Sequence, residues 1–157
     1  MKKIFRRLKI VFIDVYIYKM DKHKPLIING TNYKIEKSEI NKEKRRYYIR
    51  DGNKIIHESY VFSSVFLLRL IKKRGPVIGD CKTINAYRGK SIYPYVINKI
   101  AKDILTDSDK EVFVIVNKDN ISSIKGIEKA HYTRMASIKA KRWLWFYLKK
   151  EISIIKN

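Results

Sequence analysis

Between Val77 and Leu105 the spacing of apolar residues switches from a strand period to a helix period, and this switch limits the fold more than any other feature. Gly75-Pro76 breaks the chain, and "VIGDCKTI" (Val77–Ile84) follows as an extended apolar run. Past it, Ile92, Val96, Ile100 and Ile104 form one i,i+4 row, with Tyr93, Ile97, Ala101 and Leu105 beside it. Asn98, Lys99, Lys102 and Asp103 fall elsewhere, so a helix here lays one broad apolar face on a sheet. Pro94 is tolerated in the first turn, and Ser91 is placed to cap it. "EVFVIVN" (Glu111–Asn117) is nearly continuous apolar, as a strand covered on both faces requires. A second helix is expected from Asn120, with Ile121, Ile124 and Ile127 inward, and "RWLWFYL" (Arg142–Leu148) closes the chain as an aromatic strand.

Upstream the pattern is β. Lys9–Tyr18 is rich in branched and aromatic residues, and "RRYYIRDGNKIIHESYV" is two such runs joined around Asp51-Gly52-Asn53, a hairpin signal. "YVFSSVFLLRLI" (Tyr60–Ile71) is too short for a membrane span and contains Arg69, so it reads as a buried element. With no repeat, low-complexity stretch or Pro/Gly/Ser linker, residues 1–157 are expected to form one α/β domain with a mixed sheet.

Charge narrows the partners. The chain carries 36 Lys and Arg against 15 Asp and Glu, a net +21, so anions should be attracted: nucleic acid, acidic lipid or phosphorylated small molecules. One cysteine, Cys81, excludes an internal disulfide and fits a cytoplasmic location; with three scattered histidines it makes a zinc site improbable, and no metal is expected. "MKKIFRRLK" before "IVFIDVYIY" imitates a secretory start but has Asp14 in its middle and no small-residue cleavage site. No transmembrane segment is expected. The basic start could rest on acidic lipid, and a homodimer is left open.

The junction "TINAYRGKSIYPYVI" carries the chemistry. A helix start presents unpaired N–H groups and the positive end of the peptide dipole, a good seat for phosphate when side chains leave room. Gly89 gives access there, while Arg88 and Lys90 add charge. A polar turn is the plainer reading.

"YRGKSIY" resembles the pyrophosphate loop of the GNAT acyltransferase superfamily, whose pattern is Arg/Gln-x-x-Gly-x-Gly/Ala after the fourth strand. "VIVNKDNISSIKGIEKAHY" is similar to that superfamily's fifth strand and following helix; together the resemblance covers about residues 77–132 and, loosely, the hairpin before them. It implies a mostly antiparallel sheet, flanked by helices, whose fourth and fifth strands splay apart around acetyl-CoA or another acyl-CoA. The pantetheine arm would bond to the backbone of Cys81, Lys82 and Thr83, and the pyrophosphate would sit on amides of Arg88, Gly89, Lys90, Ser91, Ile92 and Tyr93, with Asn120 beside the arm. The chain departs from the pattern at Ser91 and His131, where the family has Gly, at Tyr93, where it has Gly or Ala, and at Ile127, where many members have the tyrosine that protonates the thiolate.

Acyl transfer by direct attack of an amine needs a base, an oxyanion donor and an acid. Glu58 and His57 lie on the strand leaving the hairpin, from which GNAT-like enzymes draw a base, and alternation sends them to opposite faces. Asp80 sits in an apolar strand, where burial would raise its pKa. Tyr132 follows the second helix and could supply the proton that Ile127 cannot. Cys81 as a nucleophile lacks a partnered His, and Trp143, Trp145 and Tyr147 are most simply core. The leading expectation is an acyl-CoA-dependent N-acyltransferase acting on an amine that could carry phosphate, by analogy an amino sugar in surface-polysaccharide assembly. The alternatives are a basic nucleic-acid-binding protein, for which zinc spacing and RNA-recognition signatures are missing, and a catalytically degenerate CoA-binding module.

Overall fold

The computed structural model describes residues 10–28, 33–107, 111–144 and 146–155. Lys9, the basic start before it and Trp145 lie outside them. Strand β1 (Val11–Met20) opens the fold; β2 (Ile35–Asn41), β3 (Lys44–Asp51) and β4 (Lys54–Phe62) form a meander. Helix α1 (Phe66–Arg69) is a single short turn. Strand β5 (Val77–Thr83) leads through a 3-10 turn (Asn85–Tyr87) into α2 (Ile92–Asp107), and β6 (Val112–Asn117) leads into α3 (Ile121–Lys129). Strands β7 (Thr133–Trp143) and β8 (Phe146–Ile154) close the chain. All eight strands join one mixed sheet in the order β2-β3-β4-β5-β6-β1-β7-β8.

The period switch produces the expected strand and helix. Ile92, Val96, Ile97, Ile100, Ala101 and Ile104 are buried against Ile49, Ile56, Val112 and Val114 of the sheet. Each fully buried aliphatic of this kind stabilises by about 1.5–3 kcal/mol. On the other face α1 places Leu68 against Val15, Ile17, Val77, Phe113 and Ile138, a second apolar cluster. The β3–β4 turn falls where Asp51-Gly52-Asn53 put it, with Gly52 at φ 56°, a value that glycine adopts without Cβ strain.

Several expectations are corrected. Arg142–Leu148 is not one strand: the chain turns at Leu144, whose φ is 54°, and Trp143 pairs with Phe146 across a hairpin. Trp143 is exposed, not core, whereas Tyr147 is half-buried and stacks on Phe66 at 5.2 Å. Tyr60–Ile71 divides into the end of β4, a loop and α1. Ile121 points outward while Ile127 is buried. Asn98, a polar residue expected off the apolar face, is buried because its amide closes a network. It donates to the carbonyls of Lys24 at 2.8 Å and Ala130 at 3.0 Å, and its oxygen accepts from the Leu26 amide at 3.2 Å. One side chain thus ties a loop and the end of α3 to α2.

Candidate functional site

The central feature is where the sheet stops being continuous. Strands β5 and β6 run parallel and pair only at Val77↔Phe113 and Ile78↔Val114. Beyond these positions β5 follows β4, through Glu58↔Lys82 and His57↔Thr83, while β6 follows β1 from Val112↔Met20 to Asn117↔Val15. The two strands therefore separate toward their C-terminal ends. The backbone edges that face each other across the gap carry donors and acceptors with no ladder partner.

A bulge sets the divergence. Tyr60 pairs with Gly79 and Glu58 with Lys82, so Asp80 and Cys81 together oppose Ser59. The extra residue is accommodated by Asp80 at φ 50°, a left-handed value that costs a non-glycine residue about 1–2 kcal/mol. Strain kept at such a point marks a place where the chain is held for geometry and not for stability alone.

The gap opens into a cavity of about 280 Å³ bordered by Val15, Ile78 to Cys81, Tyr93, Val114 to Asn117, Asn120 and Ser123. Val15 and Ile115 belong to the α1 face and Val114 and Val116 to the α2 face, so the cavity passes through the sheet. It meets a larger lobe of about 690 Å³ at the start of α2. Cys81, Tyr93, Asn120 and Ser123 border both and form the neck between them.

The larger lobe is built for an anion. Its lining includes Lys82, Arg88, Lys125 and Lys129 and no carboxylate. Gly89 stands at φ 78° with nothing within 4 Å of where a Cβ would be, so the backbone is reachable there. Among the described residues no side chain and no carbonyl outside the helix accepts from the amides of Gly89 to Tyr93. Ser91 does not cap α2 as expected. Its φ is 59°, and its hydroxyl instead accepts from Lys129 Nζ at 2.7 Å, which leaves the first-turn amides open. Arg88 Nε donates to the Thr83 carbonyl at 3.1 Å, pinning the guanidinium at the rim. Lys90 stands outside the lining, its ammonium 4.7 Å from the centre of the Tyr87 ring. Asn120 caps α3, accepting from the Ser123 amide at 3.2 Å.

Helix α3 contributes what the sequence reading missed. Lys125 and Lys129 are one turn apart, as are Ser122 and Gly126, so this side of α3 faces the start of α2. A Cβ at Gly126 would lie 2.7 Å from the Tyr93 ring, so glycine there lets the ring pack between the helices. The i,i+4 spacing of these two lysines was the available signal.

The expected catalytic residues separate. Asp80 borders the gap, but its side chain is 63% exposed and lies 3.4 Å from Lys44 Nζ, so it is not buried as its apolar strand suggested. Glu58 is on the α1 face of β4, held by Arg46 through Nη2 at 2.7 Å and Nε at 3.2 Å, with the Tyr60 hydroxyl at 3.3 Å. It does not border the gap. His57 faces the other way, as alternation demands. It is buried between Thr83 Oγ1 at 2.7 Å and Ser59 Oγ at 2.8 Å, and burial pushes its pKa down to about 4. Tyr132 is sealed in the core, its hydroxyl donating to the Ile97 carbonyl at 3.0 Å, and burial pushes its pKa well up. That placement removes it from the gap. Burial likewise pushes the Cys81 thiol up to about 12, which keeps it protonated and unreactive. The phenol that does border the gap is Tyr93, also pushed upward by burial, and among the described residues its hydroxyl has no partner.

No group of three or more His, Cys, Asp or Glu among the described residues could hold a metal ion, and no helix there is long and apolar enough to cross a membrane. Neither known protein-family models nor curated proteins give a match to the chain.

Proposed function

We propose that the protein is an N-acyltransferase that takes its acyl group from acetyl-CoA or a related acyl-CoA and passes it to a primary amine. The observation that carries this reading is the continuity of a polar-edged gap between β5 and β6 with a cation-lined lobe at an open helix start. A chain of two amides, such as a pantetheine arm, can pair with the unpaired edge of β5 as an added strand would. Its diphosphate can take the free amides from Gly89 to Tyr93, with Arg88, Lys125 and Lys129 supplying charge.

The resemblance to the GNAT superfamily gains from backbone geometry. Ser91 and His131 stand where that pattern has glycine, and their φ values are 59° and 68°. Both sites need the conformation for which glycine is the usual residue, so the substitutions leave the backbone path intact.

In the reaction the amine nitrogen attacks the thioester carbonyl, the carbon–sulfur bond breaks, and the amine proton passes to a base. Asp80 is the carboxylate that borders the gap and is assigned that role; Glu58, paired with Arg46 away from the gap, takes no part in it. Tyr93 remains protonated and is assigned as hydrogen-bond donor to the departing sulfur, in place of Tyr132. The acceptor enters from the α1 face, and an amino sugar remains the class suggested by resemblance.

The test is release of free thiol from acetyl-CoA in the presence of a panel of primary amines, with amino sugars among them. Turnover that Asp80→Asn lowers at least about tenfold, with a changed pH–rate profile, supports the reading. Acetyl-CoA binding without turnover on any amine would favour the degenerate CoA-binding module, which the sealed Tyr132 and the paired Glu58 recommend as the second reading.

A further inference from the structure

Where β1 begins and β7 and β8 meet, one end of the sheet leaves its apolar residues uncovered. Phe12 is 73% exposed, Phe146 61%, Leu148 48% and Trp143 39%. Single exposed apolar side chains are ordinary, but a contiguous group is not. Strand register shows that these four form a group. Phe12 lies opposite Lys141, which lies opposite Leu148, so the three share a face across β1, β7 and β8. Trp143 and Phe146 are the next pair on that face, two residues along each strand. Helices α2 and α3 pack chiefly over β4, β5 and β6, and α3 meets β1 further along the strand, where the Tyr18 hydroxyl donates to Glu128 at 2.8 Å.

Cations surround the group. Lys141 Nζ lies 5.1 Å from the centre of the Phe12 ring, and Lys139, Lys149 and Lys150 are exposed beside it, with Arg142 exposed on the opposite face; the nearby carboxylates are Glu151 and Asp14, both opposite Lys139, and Asp14 is paired with Lys118 Nζ at 2.7 Å. Aromatic and aliphatic side chains amid a belt of Lys and Arg suit the boundary between lipid headgroups and acyl chains. A second copy suits it poorly. An isologous contact would set these cations against themselves, and edge strand β8 carries Lys149 at φ 46° and Lys150, features that discourage edge pairing.

We propose that the start of β1 and the β7–β8 hairpin form a docking surface for an anionic lipid bilayer. The surface stands on exposure and register and does not depend on the acyl-transfer reading.

Both tryptophans of the chain, Trp143 and Trp145, belong to the stretch Trp143–Phe146, so intrinsic fluorescence reports on this surface. The full chain should cosediment with phosphatidylcholine vesicles containing phosphatidylglycerol, and its emission should shift to the blue; pure phosphatidylcholine should do neither. Phe12→Ser with Phe146→Ser should weaken vesicle binding about tenfold or more at unchanged melting temperature, because both side chains are exposed. Lys139→Glu with Lys141→Glu should weaken it by at least as much. Cosedimentation without a blue shift, or unimpaired binding by the Phe12/Phe146 variant, would reduce the effect to general charge attraction and overturn the proposal. A lipid-independent dimer that the same variant dissociates would assign the surface to a second copy. An equal blue shift with mixed-sequence duplex DNA would overturn it as well.

Discussion

Two junctions in the same sheet behave in opposite ways. β1 and β7 stay paired from Val11↔Arg142 to Lys19↔Thr133, with one irregularity at Ile17/Tyr18. β5 and β6 pair at two positions and part. The paired junction is antiparallel, backed by Ile17, Ala136, Ile138 and Ala140, all buried, and nothing along it asks the backbone to diverge. The open junction has a bulge at Asp80 on one side, and the helix that connects its strands starts with a left-handed Ser91. Apolar backing under both clusters keeps the roots of the open strands together while their ends separate. The sheet is thus closed where packing alone decides and open where strained, polar residues intervene.

The largest expected effect separates root from gap. Phe113 is fully buried where β5 and β6 still pair, so Phe113→Ala should destabilise by about 3–5 kcal/mol in denaturant unfolding. Cys81→Ala, in the neck, should cost less than about 1 kcal/mol. Comparable losses at both would erase the distinction.

Next comes the buried imidazole under the gap. His57 has a folded pKa of about 4 against an unfolded value of 6.5, so between these pH values the unfolded chain binds more protons. Its contribution is therefore intact above pH 6.5 and falls away as pH drops toward 4, by up to about 3 kcal/mol. His57→Gln should flatten that part of the stability–pH curve.

A smaller effect concerns the lobe. Arg88→Ala with Lys129→Ala should weaken acetyl-CoA binding by about ten- to a hundredfold in calorimetry, with little change in melting temperature of the free protein. The smallest concerns the bulge. Asp80→Gly should stabilise the free protein by up to about 1 kcal/mol by relieving the left-handed strain, and should abolish the base. A stabilised and fully active Asp80→Gly protein would show that Asp80 is not the base and that the strain is unrelated to chemistry.

The sequence made the strand–helix–strand core legible because hydrophobic period is a strong local signal: the Ile92 and Tyr93 rows and "EVFVIVN" took the places expected of them. The hairpin at Leu144 was not legible, since "RWLWFYL" is apolar throughout and has neither Gly nor Pro to mark a turn. β2 was missed because "IEKSEIN" is an exposed edge strand with little apolar alternation. At the site, Gly89 and Asn120 were readable from turn and cap chemistry. Asp80 was misread because an apolar run suggests burial, whereas the bulge turns its side chain outward. Tyr132 was misread because the Ile97 carbonyl that seals it lies on another helix, 35 residues away. Lys125 and Lys129 went unnoticed among 36 basic residues, and only the packing of α3 beside α2 distinguishes them.

Backbone hydrogen exchange with and without saturating acetyl-CoA tests the central claim most directly, because it reads the amides themselves. The account predicts slowed exchange in two separate stretches, Cys81–Thr83 and Gly89–Tyr93, and unchanged exchange along β7. Exchange that the ligand leaves unchanged in both stretches, at concentrations where the cation-lined lobe must be filled, would contradict it.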